Sequence, residues 1–197
     1  MRPSRRQGAT LADWDEQAII ARLRARDLEA LGDLFRHLGG AMNTLARSML
    51  RDAAEADDVV EEALLRIHRA APDFRGERGI RTWTLRIVAN LCRDHLRRRK
   101  FSAGPPEDLP PLQQLGLSIN PVADWDGAMD YQVLAEAVER AIGMLAADHR
   151  EAVVMRYRLG LSEAEMSEAL GVPPGTVKSR LSRAMVLLRD ALKELGS

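Results

Sequence analysis

The chain has almost nothing from which a cross-linked or metal-held scaffold could be built. Its 197 residues include one cysteine, Cys92, so no internal disulfide can form, and a lone thiol fits a reducing compartment. That thiol reads either as a small packed hydrophobe, the usual state of a buried cysteine, or as a redox handle. The four histidines, His37, His68, His95 and His149, are scattered without metal-ligand spacing. No glycine pattern of a phosphate-binding loop occurs, and no nucleophile has an evident partner. An enzyme, a metal site and a bound cofactor are therefore not expected. No stretch approaches the roughly 18 apolar residues of a membrane span, and the basic start Met1–Gly8 leads into no signal-peptide core, so no membrane insertion is expected and the cytoplasm is the expected compartment.

Net charge is absent too, with 29 basic and 29 acidic side chains, so the global balance gives no hint of a nucleic-acid partner. The distribution does. From Arg75 to Lys100 nine basic side chains stand against Glu77 and Asp94, about plus seven; from Arg51 to Glu62 six acidic ones stand against Arg51, about minus five. Aromatic residues supply only 4%, whereas hydrophobic residues reach 46% and are dominated by good helix formers. This composition predicts an all-α protein, and its length admits one large domain or two small ones.

Apolar residues recur at helical spacing from Gln17 to Ala25 (Ile19, Ile20, Leu23) and from Leu28 to Leu50 (Leu31, Leu34, Phe35, Leu38, Leu45, Met49). Asp27 suits the N-cap of the second helix, and Gly39-Gly40 is a place for an interruption or kink. A third helix is predicted from about Ala54 to Ala70, with Val59, Val60, Ala63, Leu64 and Ile67 inward and Pro72 ending it. A fourth runs from about Ile80 to Arg99 on a stripe of Trp83, Ile87, Val88 and Leu91. Composition then changes: residues 102–121 hold Pro105, Pro106, Pro110, Pro111 and Pro121 with no sustained period. The expected organisation is an arm at 1–14, a helical domain at 15–100, a flexible Pro-rich linker at 101–129 and a second helical domain at 130–197.

In the second domain Leu134, Val138, Ala141, Ile142 and Leu145 mark one helix, and Val153, Val154 and Tyr157 the inward side of another from about Asp148 to Arg158. Ser162-Glu163-Ala164-Glu165 is a capping box opening a short helix that ends at Gly171. Pro174 then suits the first turn of a helix reaching about Glu194, with Val177, Leu181, Met185 and Leu188 inward. Two helices joined by a tight glycine turn, with small Ser167 at their crossing, make a helix-turn-helix. Its outward face carries Thr176, Lys178, Ser179, Arg180 and Arg183, residue types that read guanine edges or hold phosphates in a major groove.

Gly175-Thr176-Val177-Lys178-Ser179-Arg180-Leu181-Ser182-Arg183-Ala184 resembles the recognition-helix signature of extracytoplasmic-function sigma factors of the sigma-70 family. Upstream, Ala56-Asp57-Asp58-Val59-Val60-Glu61-Glu62 resembles the family's acidic region 2.2, and Phe74-Arg75-Gly76-Glu77, Thr82-Trp83 and Arg86-Ile87-Val88-Ala89-Asn90 its region 2.3. The departures are mild: Glu61, Met166 and Ser167 stand where the family often has Gln, Ile and Ala. The resemblance implies a transcription initiation factor whose partners are core RNA polymerase and promoter DNA, with an anti-sigma factor as a further partner that it admits. Asp57, Asp58, Glu61 and Glu62 would dock on the polymerase clamp helices. Phe74, Arg75, Arg78 and Asn90 would recognise the minus-10 strand, with Arg93, Arg97, Arg98, Arg99 and Lys100 on phosphates. Thr176, Lys178, Ser179, Arg180 and Arg183 would read the minus-35 element in a domain that also touches the polymerase flap. Trp83 stands between core packing and base stacking, and the linker between a plain tether and a path towards the RNA channel. The rival is a dimeric helix-turn-helix regulator independent of polymerase, which accounts for the last third of the chain alone.

Overall fold

A computed structural model describes residues 14–76, 79–102 and 131–195. All regular structure among them is helical: α1 (Glu16–Arg24), α2 (Leu28–Leu50), α3 (Ala53–Ala70), α4 (Ile80–Ser102), α5 (Tyr131–Met144), α6 (Ala147–Val153), α7 (Glu163–Leu170) and α8 (Pro174–Leu195). The arm through residue 13, Arg78 and the linker residues 103–130 lie outside the described residues.

The starts of the first three helices are written in short acidic caps. Asp15, Asp27 and Asp52 each accept from backbone N–H groups of the first turn of α1, α2 and α3, satisfying donors that have no partner within the helix. The start of α4 is completed from a distance: Glu16 of α1 accepts from the Ile80 N–H at 2.8 Å. Helix α2 runs unbroken through Gly39-Gly40, contrary to the expected interruption. Gly39 serves packing instead, since a Cβ there would come within 2.9 Å of the Phe35 ring. That ring folds along the helix surface and is exposed rather than inward.

Helices α1 to α4 bury Leu23, Leu34, Met42, Leu45, Met49, Ile67 and Leu85. Helices α5 to α8 bury Met155, Leu161, Met166 and Val177. The helix expected across 148–158 is α-helical only to Val153 and closes through a π-helical turn at Val154–Arg158. The wider turn changes which residues face inward, and Tyr157, expected inside, is exposed. On α8 the buried register is Val177, Leu181, Ala184 and Leu188, so Met185 lies half outside it.

The two helix groups share one continuous apolar core. Helix α4 packs on α2 and α3 with one side and on α7 with another, and α2 also meets α6. Arginines stitch the junction to backbone carbonyls. Buried Arg150 of α6 donates to Met49 O at the end of α2 (3.0 Å) and to Gly143 O (2.9 Å). Arg51, in left-handed conformation at the C-cap of α2, donates to the same Gly143 O at 3.1 Å.

Candidate nucleic-acid interface

The acidic candidates occupy the solvent side of α3. Asp57, Asp58, Glu61 and Glu62 are exposed, while Ala56, Val59, Val60, Ala63 and Ile67 face the core, a division that follows from the 3.6-residue period. Asp57 lies 3.3 Å from Arg47 and Glu62 lies 2.6 Å from Arg66 one turn on. Both are exposed pairs of small energetic weight, so the carboxylates remain available to a basic partner.

The segment before α4 is pinned by its neighbours. Phe74 N–H donates to Ala71 O, its carbonyl accepts from Arg24 Nε at 2.8 Å, and Gly76 and Gly79 turn the chain at φ 82° and 69°. The Phe74 ring stacks on Trp83 with centroids 4.4 Å apart. Trp83 is thus half-buried against the core and also lines a small pocket of about 130 Å³ with Phe74, Arg75, Thr82 and Arg86, so packing accounts for only part of its surface. Glu168, reaching over from α7, completes the pocket wall.

Along α4 the basic candidates divide into two sets. Arg97, Arg98 and Arg99 are exposed near the C-terminal end; Arg97 pairs with Asp94 and Arg99 with Glu55, each at 3.1 Å. Arg93, expected to grip phosphate, is instead committed inward. Its Nη1 donates to Leu170 O at the end of α7 (3.2 Å), its Nη2 to Asn90 Oδ1 (2.8 Å), and its Nε lies 3.7 Å from Glu151 of α6. Asn90 itself is exposed, and Lys100 is described only in its backbone, within α4.

Glu151 is wholly buried and neither carboxylate oxygen accepts a hydrogen bond among the described residues. Burial pushes its carboxyl up to about 7, with Arg93 and Arg180 pulling the other way and Asp148 adding to the rise. The neighbouring Cys92 is buried, and that burial, followed by the Glu151 charge, drives its thiol up to about 12. Its complete burial is that of a packed thiol, and a thiol so raised is a poor nucleophile.

The helix-turn-helix is built as its sequence dictates. Ser162 Oγ accepts from the Glu165 N–H while Glu165 accepts from the Ser162 N–H at 2.8 Å and its hydroxyl at 2.7 Å, which holds the Glu165 carboxyl below its usual range. Gly171 closes α7 at φ 68°, and Ser167 Oγ donates across the turn to Val172 O at 2.6 Å. Over this turn α8 presents Lys178, Ser179 and Arg183 to solvent, with Thr176 half-buried. Arg180 departs from the expected outward face: it is half-buried, its Nε 3.5 Å from Asp148, because α6 packs beneath that side of α8. Behind the helix pair an apolar groove of about 630 Å³ runs between α5, α6 and α8, bordered by Tyr157, Met185, Leu188 and Leu192.

Sequence reasoning missed the residues that join the two helix groups: Arg51, Arg81, Arg86, Arg150, Glu151 and Glu168. Arg81, for example, donates to Leu159 O, 78 positions away. No local pattern marks such contacts, because their partners are mostly backbone carbonyls, which every residue carries.

Comparison with known proteins accounts for both halves in chain order. Residues 34–102 match the family model for sigma-70 region 2, and residues 135–188 that for sigma-70 region 4. The chain is 36% identical over 180 residues to the ECF RNA polymerase sigma factor SigM of Mycobacterium tuberculosis, covering 91% of this chain and 85% of that one. Among solved structures, CnrH in complex with the cytosolic domain of CnrY shares the fold at TM-score 0.65 and 24% identity, covering 90% and 96% of the two chains. The sigma factor RpoE in complex with the anti-sigma factor NepR, from Bartonella quintana, gives TM-score 0.60 and 25% identity over 82% of this chain and 97% of that one.

Proposed function

Because the chain belongs to the extracytoplasmic-function group of the sigma-70 family, and so directs core RNA polymerase to promoters as a transcription initiation factor, we propose how its surfaces divide that work. The domain at 15–100 docks and opens, and the domain at 130–197 reads duplex. Asp57, Asp58, Glu61 and Glu62 meet the basic clamp helices of the polymerase, where complementary charge speeds encounter. Phe74, Arg75, Arg78 and Asn90 take the unstacked minus-10 strand, a base being fully readable only once it leaves the stack. Arg97, Arg98, Arg99 and Lys100 hold phosphates, whereas Arg93, tied to Leu170 O and Asn90 Oδ1, braces α4 against α7.

Thr176, Lys178, Ser179 and Arg183 enter the minus-35 major groove, with Arg180, drawn towards Asp148, at the edge of that face. The observation that carries this reading is the exposed Lys178–Ser179–Arg183 face at the start of α8, held rigidly by the capping box and the Gly171 turn. The apolar groove on α5, α6 and α8 suits the polymerase flap, whose apolar residues would bury Met185 and Tyr157.

The work takes place beside the polymerase in the cytoplasm, and no helix among the described residues is long and apolar enough to cross a membrane. Sigma factors act without catalysing a reaction of their own, and we extend this to the present chain. An anti-sigma factor is a further partner, in keeping with the complexes in which CnrH and RpoE were solved.

Run-off transcription on fragments of the source genome, with core polymerase alone and with the chain added, tests the whole reading. New discrete transcripts are expected only with the chain, and none in either case would refute it. Arg183→Ala should weaken minus-35 binding in a sequence-dependent way, by about 1 to 3 kcal/mol at promoters carrying the contacted guanine. Equal loss on every promoter would show that Arg183 holds a phosphate instead. Replacing Arg97, Arg98 and Arg99 together by Ala should flatten the logarithmic salt dependence of holoenzyme binding to duplex promoter by about 3, roughly 0.9 for each lost phosphate contact. An unchanged slope removes them from the interface.

A further inference from the structure

Arg180 stands within the reading segment of α8 but off its reading face. At about 100° per residue it lies about 40° around the helix from Ala184 and about 60° from Val177, both wholly buried. It is about 100° from Ser179 and about 160° from Lys178, both exposed. Its side chain is 22% exposed and meets α6, where Asp148 Oδ2 lies 3.5 Å from its Nε. Glu151, one turn further along α6 and so on the same side of it, is wholly buried, accepts no hydrogen bond among the described residues, and feels the Arg180 charge. Two carboxyl groups of one helix thus converge on a single guanidinium of the next.

Helix α6 is a firm base for such a tie. Arg150 donates from it to Gly143 O (2.9 Å) and Leu145 O (3.3 Å) at the end of α5, and Ala152, Val153 and Val154 are buried. The other end of the tie adjoins the reading residues, because Asp148 and Arg180 line a cleft of about 520 Å³ together with Ser179, Ser182 and Arg183. Apolar packing has no direction of its own, so the stripe of Val177, Leu181, Ala184 and Leu188 sets how deep α8 sits more firmly than how it is turned. A charged tie at one edge of that stripe has direction. Base reading needs it, since recognition side chains must be held within about 10 to 20° of their working geometry.

We propose that Arg180 is a positioning residue of the minus-35 reader and touches no DNA itself: Asp148 and Glu151 hold it, and through it they fix the rotation of α8 at which Lys178, Ser179 and Arg183 meet the groove. The proposal rests on the assignment of that face to minus-35 DNA made above. It gives an acidic residue, Asp148, a favourable part in binding a polyanion, which charge alone would deny it.

The test uses holoenzyme carrying the full chain and two promoter duplexes, one found by run-off transcription and the same one with its minus-35 element scrambled. Affinity for both is measured for the parent, Asp148→Asn, Arg180→Gln and the double variant. Asparagine keeps the oxygen that accepts from the His149 N–H at 3.0 Å, so Asp148→Asn removes only the charge. Each single variant should narrow the ratio of intact to scrambled affinity about tenfold, and the double variant no further, because both substitutions break one tie. Loss at the intact duplex with Asp148→Asn is the signature of positioning, since removing a carboxylate beside DNA would by charge alone strengthen binding to both duplexes. Parental or improved binding by Asp148→Asn at the intact duplex overturns the tie. So does Arg180→Gln if it leaves the ratio intact while lowering the logarithmic salt slope by about 0.9, which is the mark of a phosphate contact. Lower urea midpoints with an unchanged ratio reduce the pair to holding the fold and overturn the proposal as well. A parent that does not distinguish the two duplexes overturns the minus-35 assignment itself, and with it this inference.

Discussion

Acidification from about pH 8 to about pH 5 is expected to stabilise this protein against unfolding, the reverse of the usual behaviour of carboxylates. The cause is Glu151, whose carboxyl is raised from 4.5 to about 7 by burial without a hydrogen-bond donor. A carboxyl raised on folding binds its proton more tightly in the native state, so stability falls with pH wherever the native form holds the extra proton. The stabilisation is fully present below 4.5 and is lost as pH rises through about 7. At about 1.4 kcal/mol per pH unit, that gap corresponds to about 3 kcal/mol. Asp27, held low first by its bond to Arg22, and Glu165, held low by Ser162, act in the opposite sense. Both exert that effect only under their ordinary values, so neither opposes the Glu151 effect between about pH 5 and about pH 7.5. Urea unfolding of the full chain across that window should give midpoints that rise as pH falls. Glu151→Gln keeps the shape and removes the titration, so its curve should be nearly flat and its stability at pH 8 should match the parent's at pH 5. A parental slope in Glu151→Gln would assign the effect to another group.

The position of Glu151 also marks where the amino-acid sequence stops being informative. Helices were legible because their signals are local: the Asp15, Asp27 and Asp52 caps, the Ser162–Glu165 box, the Gly171 turn and the apolar periods all act within a turn or two. The acidic face of α3 and the Lys178–Arg183 face of α8 were legible for the same reason, and the resemblance to sigma factors gave them roles that charge alone could not. Three local readings went astray where geometry departed from a regular helix or where packing overrode composition. The π-helical turn at Val154–Arg158 turned Tyr157 outward, Gly39 packed against Phe35 rather than breaking α2, and Met185 fell beside the buried register of α8. The junction was illegible altogether. Nothing near Arg93 announces that Leu170 O will occupy it, and a half-buried Arg180 reads the same as an exposed one in a sequence. The residues of the candidate face were thus legible in the sequence, and the packing of α7 against α4 was not.

Reversing the charge of the proposed docking face on α3 should abolish recruitment by core polymerase. Lysine at Asp57, Asp58, Glu61 and Glu62 together turns an attractive surface repulsive, and like charges brought face to face cost several kcal/mol. A loss of about 4 kcal/mol is about a thousandfold in affinity. The fold should survive, because these side chains are exposed and the face that holds α3 in place, Ala56, Val59, Val60, Ala63 and Ile67, is untouched. The ion pairs forfeited with Arg47 and Arg66 are exposed ones, worth under about 1 kcal/mol each. Circular dichroism and the urea midpoint should therefore stay close to the parent's while pull-down with core polymerase fails and run-off transcripts disappear. The kinetics carry a second signature. If opposite charges steer the encounter, the parent's association rate falls steeply as salt rises, whereas the reversed variant's weak association improves as salt screens the repulsion. A variant that folds normally and still recruits polymerase with parental affinity would move docking off α3, and the apolar groove of α5, α6 and α8 would then be left as the main contact with the enzyme.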